Sequence, residues 1–161
     1  MLIPMEVIGV RVEMPSNQPI ILLKEIDGNR FLPIWVGAVE ATAIAFAQQG
    51  VEPPRPLTHD LMRELLEVLE ATLTAVHLTE IKEGIFYATM QLRDKDSKAL
   101  TLPARPSDAI ALALRTHSNI LATAQLLDTA GVEMPIGDGE NQEVEKFREF
   151  LDQINPEDFL G

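Results

Sequence analysis

Two alanine-rich segments constrain the fold of this chain more than any other feature. Residues 38–47 are apolar on every side except for Glu40 and Thr42, and they predict a helix over Ala38–Gln49 that Gly50 ends at the C′ position. Residues Asp108–Arg115 are apolar except at their two ends. A helix that is apolar all round is buried all round, and alanine lets other elements approach closely. We therefore expect both helices to be internal.

Six apolar segments with alternating or β-rich patterns fall into two groups of three. These predicted strands cover residues 5–14, 20–26 and 30–36, and then 72–81, 85–93 and 99–102. The alternation is clearest in the fifth, where Phe86, Ala88, Met90 and Leu92 share one face, as in an antiparallel sheet with one packed side. We predict an α/β protein of the α+β type, in which a mostly antiparallel sheet from two strand meanders packs against the alanine-rich helices.

The same order of elements occurs twice. Three strands lead through a Leu-Pro pair, at Leu32 and again at Leu102, into a helix that carries the tripeptide Ala-Ile-Ala. A βββα pseudo-repeat is one interpretation of this order. Ser107 or Asp108 begins the second of these helices, and residues 120–124 favour one more strand.

Another helix is predicted from Thr58, a good N-cap, to about Glu70. Its spacing of apolar residues predicts a buried stripe of Leu61, Leu65, Val68 and Leu69.

The formal charge of −12 is unevenly distributed along the chain. Residues 133–161 hold nine acidic residues and two basic ones, Lys146 and Arg148. We predict one domain over residues 1–132, followed by an acidic linker and a short amphipathic helix at 143–154. The acidity excludes a generally basic, duplex-coating protein, and it predicts that any nucleic-acid binding is weak and salt-sensitive.

The absence of cysteine excludes disulfides and a cysteine nucleophile. The first residues lack a basic n-region and a small-residue cleavage site, so we expect no signal peptide. No apolar run reaches the ~18–20 residues of a membrane span. We therefore expect a cytoplasmic protein with no membrane partner.

Two Arg-Pro turns, at Arg55 and Arg105, each precede a predicted helix start. Helix N-termini bind anions through free N–H groups, and arginine binds phosphate in a bidentate fork. With the nearby hydroxyls of Thr58 and Ser107, these turns are candidates for phosphate binding.

Acid–base or metal chemistry has four candidates near the same turns. Histidine can transfer protons at neutral pH, which makes His59 a candidate for acid–base catalysis. The carboxylates of Glu40, Asp60 and Asp108 are candidates for acid–base catalysis or for binding a divalent ion such as magnesium. The alternative is structural: Arg55 and Arg105 pair with Asp60 and Asp108 and lock the two turns, while the carboxylates cap helices.

Several longer motifs resemble one known family. They are Leu32-Pro-Ile-Trp-Val-Gly37, Pro54-Arg-Pro-Leu-Thr-His-Asp-Leu61 and Ala104-Arg-Pro-Ser-Asp-Ala-Ile-Ala-Leu-Ala-Leu-Arg115. By these residues the chain is similar to the bifunctional nuclease family over nearly its whole length. The resemblance implies an α/β domain that self-associates, and a nuclease that hydrolyses phosphodiester bonds of RNA and DNA. The other hypothesis is a non-catalytic, oligomeric interaction or regulatory module.

Overall fold

The structure, a computed structural model, describes residues 1–133. Residue 133, where the predicted tail begins, belongs to the described part, and the rest of that tail, including the helix at 143–154, lies outside it. The strands are β1 (Leu2–Glu13), β2 (Gln18–Glu25), β3 (Arg30–Trp35), β4 (Thr72–Lys82), β5 (Ile85–Arg93), β6 (Ala99–Ala104), β7 (Asn119–Thr123) and β8 (Val132–Glu133). The helices are α1 (Ala38–Gln49), α2 (Thr58–Val68), α3 (Pro106–Thr116) and α4 (Ala124–Ala130). The predicted α+β class is confirmed.

All the strands of the described part belong to one sheet, in the order β6-β5-β4-β7-β1-β2-β3-β8. Two antiparallel meanders, β1–β2–β3 and β4–β5–β6, stand on either side of β7. Ile120 in β7 pairs with Met5 of β1 in antiparallel register and with Val76 of β4 in parallel register. Each meander leads into an alanine-rich helix, so the predicted βββα order occurs twice.

Helix α3 is enclosed, as the sequence predicts. Its central residues Ala109, Ile110, Ala111, Leu112 and Ala113 are at most 1% exposed, because α1, α2 and strands β4, β5 and β7 all pack against it. Burial of these side chains by both helices and sheet makes α3 the centre of the main core.

Helix α1 is not enclosed, and the expectation that it is buried all round is wrong. Ala41, Ala43 and Ile44 are buried against α3 and the first meander, whereas Val39 on the opposite side is 77% exposed. The end of α1 is as predicted, because Gly50 adopts a left-handed conformation with φ 66° and closes the last turn.

The predicted buried stripe of α2 is also wrong. Leu61, Leu65, Val68 and Leu69 are 56–79% exposed. Instead, His59 is buried, and the half-buried Met62 and Leu66 pack against the core. The arc of apolar residues on α2 is wider than its contact with the rest of the domain, so periodicity alone did not identify the buried side. Thr58 is the first helical residue rather than the cap, which is Leu57.

Three further features were not predicted. A β-bulge at Gly9 shifts the register of β1 between Val7 and Gly9, so Met5, Val7 and Val10 contact the core although the alternation is broken. Helix α4 follows β7 directly, capped by the Thr123 hydroxyl, which accepts a hydrogen bond from the Leu126 amide. Strand β8 then pairs with β3 at the edge of the sheet.

Candidate functional site

Four of the predicted site residues meet where three helices begin. Glu40 lies in the first turn of α1, His59 in the first turn of α2 and Asp108 in the first turn of α3, while Arg105 is the N-cap residue of α3. Carboxylates at these positions complement the positive ends of the helix dipoles. We call Glu40, His59, Arg105 and Asp108 the Asp108 cluster.

Asp108 is the centre of this cluster, because each of its oxygens has a different partner. Oδ1 lies 3.0 Å from Nε2 of His59, and Oδ2 accepts a hydrogen bond of 2.9 Å from Nε of Arg105. Nη2 of Arg105 donates a bond of 3.1 Å to Oε1 of Glu40. An imidazole, two carboxylates and a guanidinium therefore form one continuous network.

The cluster runs from the interior to the solvent. The side chain of His59 is 7% exposed, that of Asp108 is 29% exposed and that of Arg105 is 63% exposed. The hydrogen bond to Asp108, together with the charges of Asp108 and Glu40, raises the pKa of the Arg105 guanidinium. Arg105 uses Nε and Nη2 in the network, and Nη1 has no hydrogen-bond partner among residues 1–133, so donors remain for an anion.

Asp60 lies beside His59 in the sequence but belongs to a separate, more buried pair. Its Oδ1 accepts a hydrogen bond of 2.7 Å from Nε of Arg115, whose side chain is 5% exposed. Arg115 also donates to the backbone oxygens of Ala111 and Ala43, at 2.9 and 3.0 Å. Burial opposes ionisation of Asp60, but the bonds from Arg115 and from the Leu57 amide outweigh it and lower the pKa of Asp60.

Arg115 was missed as a site residue in the sequence. The feature of the sequence that indicates Arg115 is its position as the single arginine at the end of an otherwise apolar, buried helix. Such a charge needs a buried partner, and Asp60 provides it. The predicted alternative of two locked turns is therefore half right: Arg105 does pair with Asp108, but Asp60 pairs with Arg115 and not with Arg55.

The remaining predicted phosphate-binding residues are not part of the network. Arg55 and Thr58 are exposed, and within residues 1–133 Arg55 has no ion pair. Ser107 is buried and lines a small cavity of about 80 Å³ together with Arg105, Gly37 and Phe86. This volume is far below the roughly 300–1,000 Å³ that is usual for a small-molecule site.

The three candidate metal ligands do not converge. Arg105 lies between Glu40 and Asp108, and Asp60 is held by Arg115. Within residues 1–133 there is no group of three or more metal-ligating side chains. These residues, as arranged, do not fit a divalent ion, and use of magnesium stays a prediction.

The fold and the Asp108 cluster together define an α+β domain with a hydrogen-bonded histidine–aspartate pair and an exposed guanidinium at converging helix N-termini. A family model of the bifunctional nuclease domain matches residues 21–135, which include the whole cluster. The chain belongs to the bifunctional nuclease domain family.

Relatives of two kinds support this membership. The chain is 48% identical over 160 residues to the uncharacterized protein Rv1829 of Mycobacterium tuberculosis (strain ATCC 25618 / H37Rv), with 95% of both chains covered. It is 26% identical over 117 residues to "Bifunctional nuclease 1" of Oryza sativa subsp. japonica and to "Bifunctional nuclease" of Oryza minuta. Those matches cover 71% of this chain but only 35% of the plant proteins.

Within residues 1–133, each helix is too short or too polar to cross a membrane.

Proposed function

We propose that this chain hydrolyses phosphodiester bonds of RNA and DNA at the Asp108 cluster. The observation that carries the proposal is that Asp108 joins a buried imidazole to an exposed guanidinium, through bonds of 3.0 and 2.9 Å. Such a pairing provides a proton-transfer group and an anion-binding group within a few ångströms of each other. Family membership and the names of the plant relatives support the same activity.

His59 is the proton-transfer group in this proposal. In the tautomer that carries the hydrogen on Nε2, Asp108 accepts that hydrogen and Nδ1 is the nitrogen that can accept a proton. Asp108 is thus a positioning residue that fixes the tautomer and the ring orientation, as second partners of histidines do elsewhere. The hydrogen bond to Asp108 is the one hydrogen bond of the His59 ring among the described residues.

The nucleophile is water, because an enzyme that cleaves DNA as well as RNA cannot depend on a ribose 2′-hydroxyl. Nδ1 of His59 accepts a proton as the water oxygen bonds to phosphorus. The bond from phosphorus to the leaving sugar oxygen then breaks, and that oxygen receives the proton. Arg105 binds the non-bridging oxygens and stabilises the charge that develops on them.

Substrate lies across the surface in this proposal, since the cavity of about 80 Å³ beside Arg105 and Ser107 is below the usual size of a ligand pocket. Glu40 keeps the guanidinium in place through its bond to Nη2. Affinity is low, since residues 1–132 carry 16 acidic and 11 basic residues. We also expect this activity to be cytoplasmic.

The test is cleavage of a labelled single-stranded RNA and of the DNA with the same sequence by highly purified protein. His59→Gln and Asp108→Asn should lower the rate by about 100-fold or more, the usual contribution of a general acid–base group. Arg105→Gln should raise KM. Matched controls are His77→Gln on β4 and Arg93→Gln on β5, which should cleave like the wild type.

Assays with and without chelator decide whether a divalent ion takes part. If folded His59 and Asp108 variants cleave both substrates as fast as the wild type, the activity belongs to another site or to a contaminant. The proposal is then wrong.

The second candidate function is a non-catalytic interaction module. The observation that favours it is the exposed apolar side of α2, because five large apolar side chains are exposed on this helix and its two cap residues, which is typical of a binding surface.

A further inference from the structure

Strands β2 and β3 are buried on both faces, although the described helices pack on one face only. The side chains that point towards the helices, such as Ile21, Leu23 and Ile34, belong to the main core. The side chains that alternate with them point the other way. These residues, which we call the outer patch, are each at most 5% exposed: Ile20, Leu22, Phe31, Pro33 and Trp35.

The register of the strands shows that the outer patch is one continuous surface. Ile20 pairs with Trp35 and Leu22 pairs with Pro33, and residues that pair directly point to the same side of a sheet. The main core, with the residues packed against it, includes members of all four helices but no member of the outer patch. No helix among residues 1–133 therefore packs on this surface.

The connections of the described part do not cover the outer patch either. The turn between β1 and β2 is exposed at every residue from 14 to 17, and Met14 is 68% exposed. In the turn between β2 and β3, Ile26 is 51% exposed. The connection between α1 and α2 lines a groove with α2 and the end of α3 instead. The cover therefore comes from outside residues 1–133.

The matching face of the second meander is polar and needs no cover. In β5 the residues that point away from the main core include Tyr87, Thr89 and Gln91, which are exposed or half-buried. The outer patch instead carries two aromatic rings, and such a side chain buries about 150–250 Å² when it is covered. Left in solvent, the outer patch would exceed the largest apolar patch of a typical monomer, about 300–600 Å².

Burial of the outer patch is a property of a single chain, because the exposed fractions are those of one copy. A second copy is therefore not needed to bury it, and the part of this chain that can supply the cover is the segment after residue 133. We propose that the helix predicted over residues 143–154 packs on the outer patch. The acidic C-terminal segment is then a layer of the domain, with the sheet between it and α1.

The described chain ends where this packing requires. Val132 in β8 pairs with Phe31 of β3, so the chain leaves the sheet beside the outer patch. Residues 134–142 span up to about 30 Å when extended. The helix over 143–154 would be about 18 Å long, and strands β1, β2, β3 and β8 together span about 14 Å. One helix after a short connection therefore reaches across the whole patch.

The apolar residues of segment 143–154 suit such a surface. At 3.6 residues per turn they fall within about 120° of the helix, close to the width that a helix needs to cover one surface. They are Val144, Phe147, Phe150, Leu151 and Ile154. Glu145, Glu149 and Asp152 lie outside that arc and are directed to solvent in this arrangement. An acidic segment can therefore pack on an apolar surface without burying these charges.

The first test uses Trp35, which is the only tryptophan of the chain and a member of the outer patch. In the full chain, Phe147→Ser with Phe150→Ser should shift the Trp35 emission to longer wavelength and increase its quenching by acrylamide, because the indole loses its cover. Leu61→Ser with Leu65→Ser, at exposed sites on α2, is the matched control and should leave both readings unchanged. Wild-type emission and quenching in the Phe147/Phe150 variant would overturn the proposal.

The second test leaves every apolar residue of the patch and of segment 143–154 in place. The chain contains no cysteine, and Arg11 and Lys24 flank the outer patch on its own face, where they pair with Ile20 and Phe31. Arg11→Cys or Lys24→Cys is combined in turn with a cysteine at one of four polar sites of the segment: Glu145, Arg148, Glu149 and Asp152.

On mild oxidation, at least one of these combinations should form a disulfide within one chain at every protein concentration. Arg93→Cys on the second meander, combined with the same four sites, is the matched control and should form none. If no combination links, the segment does not lie on the patch and the proposal is wrong. Links between two chains only would mean that a second copy supplies the cover, which also overturns it. Both tests are independent of nuclease activity.

Discussion

Arg115 and Asp60 form the most buried ion pair of the described residues, with 2.7 Å between Nε and Oδ1. The pair joins the last turn of α3 to the first turn of α2, and Arg115 extends it to α1 through the Ala43 oxygen. His59 is the neighbour of Asp60, so the same pair holds the start of α2 where the imidazole reaches Asp108. The ion pair is thus part of the support for the Asp108 cluster.

Removing one partner of this pair should destabilise the fold strongly. Arg115→Leu leaves Asp60 without its main partner, and Asp60→Asn leaves a buried guanidinium with a weaker one. We expect each to lower the free energy of unfolding by about 3 kcal/mol, since a broken buried pair leaves an uncompensated charge. Urea denaturation measures this. Arg93→Leu, an exposed site, should cost less than about 0.5 kcal/mol, and equal losses at Arg93 and Arg115 would contradict the expectation.

Stability should fall in acid because two carboxyls have lowered pKa values in the folded state. Arg30 lowers the pKa of Glu25 through its hydrogen bond, and Arg115 with the Leu57 amide lowers that of Asp60 despite burial. Their contributions are complete above the ordinary values near 4.5 and 3.8, and are lost as the pH falls through the lower folded values. The urea concentration at the midpoint of unfolding should therefore decrease as the pH is lowered below about 4. The Glu25→Gln variant should show a shallower drop than the wild type, and identical slopes would rule out this origin.

Two glycines should differ in their tolerance of alanine. At Gly131 a Cβ would collide with the backbone oxygen of Leu127, to which the Gly131 amide donates its hydrogen bond. Gly131→Ala should cost about 2–3 kcal/mol, as for an overpacked site. At Gly50 the space is open but φ is 66°, so Gly50→Ala should cost about 1–2 kcal/mol from backbone strain alone. Thermal denaturation would refute this ranking if Gly50→Ala were the less stable variant.

Nucleic-acid binding should be weak. Its binding constant should fall with salt concentration to an extent set by a small number of arginine–phosphate contacts. On a single strand, each arginine–phosphate contact adds about 0.7 to the magnitude of the slope of log K against log salt. Arg105→Gln should therefore reduce the magnitude of that slope by about 0.7, whatever the base sequence. Fluorescence anisotropy with a labelled single strand gives the slope, and Arg93→Gln is the control. An unchanged slope for Arg105→Gln would show that this guanidinium does not contact phosphate.

The sequence predicted those parts of the fold in which local pattern and burial agree. The end of α1 follows from Gly50, which adopts the left-handed conformation after the last turn. The burial of α3 follows from a helix that has no polar side. The side of α2 that is buried could not be predicted, because an apolar arc of that width has two equivalent halves, and only packing against α3 selects Met62 and Leu66 over Leu61 and Leu65.

The candidate site was predicted in composition but only partly in pairing, because the Arg105–Asp108 pair was an expected alternative and the Asp60–Arg115 pair was not. Glu40, His59, Arg105 and Asp108 were all candidates, because each lies at or just before a predicted helix start and is of a type that binds anions or transfers protons. Which acid meets which base depends on how α2 crosses α3, and that crossing brings Asp60 to Arg115, far from it in the sequence. The place of β7 in the sheet could not be predicted for the same reason. Its pairing with both β1 and β4 joins segments that are distant in the chain.

The position of β7 has a consequence for synthesis. A ribosome makes both meanders, with α1, α2 and α3, before Asn119 exists, and the strand that joins the two halves is made after all of them. Until then β1 and β4 each present an unpaired row of backbone donors and acceptors, the kind of edge that captures other chains. The completed ladder buries both edges in one step. A nascent chain that stalls before Asn119 is therefore most in need of a chaperone.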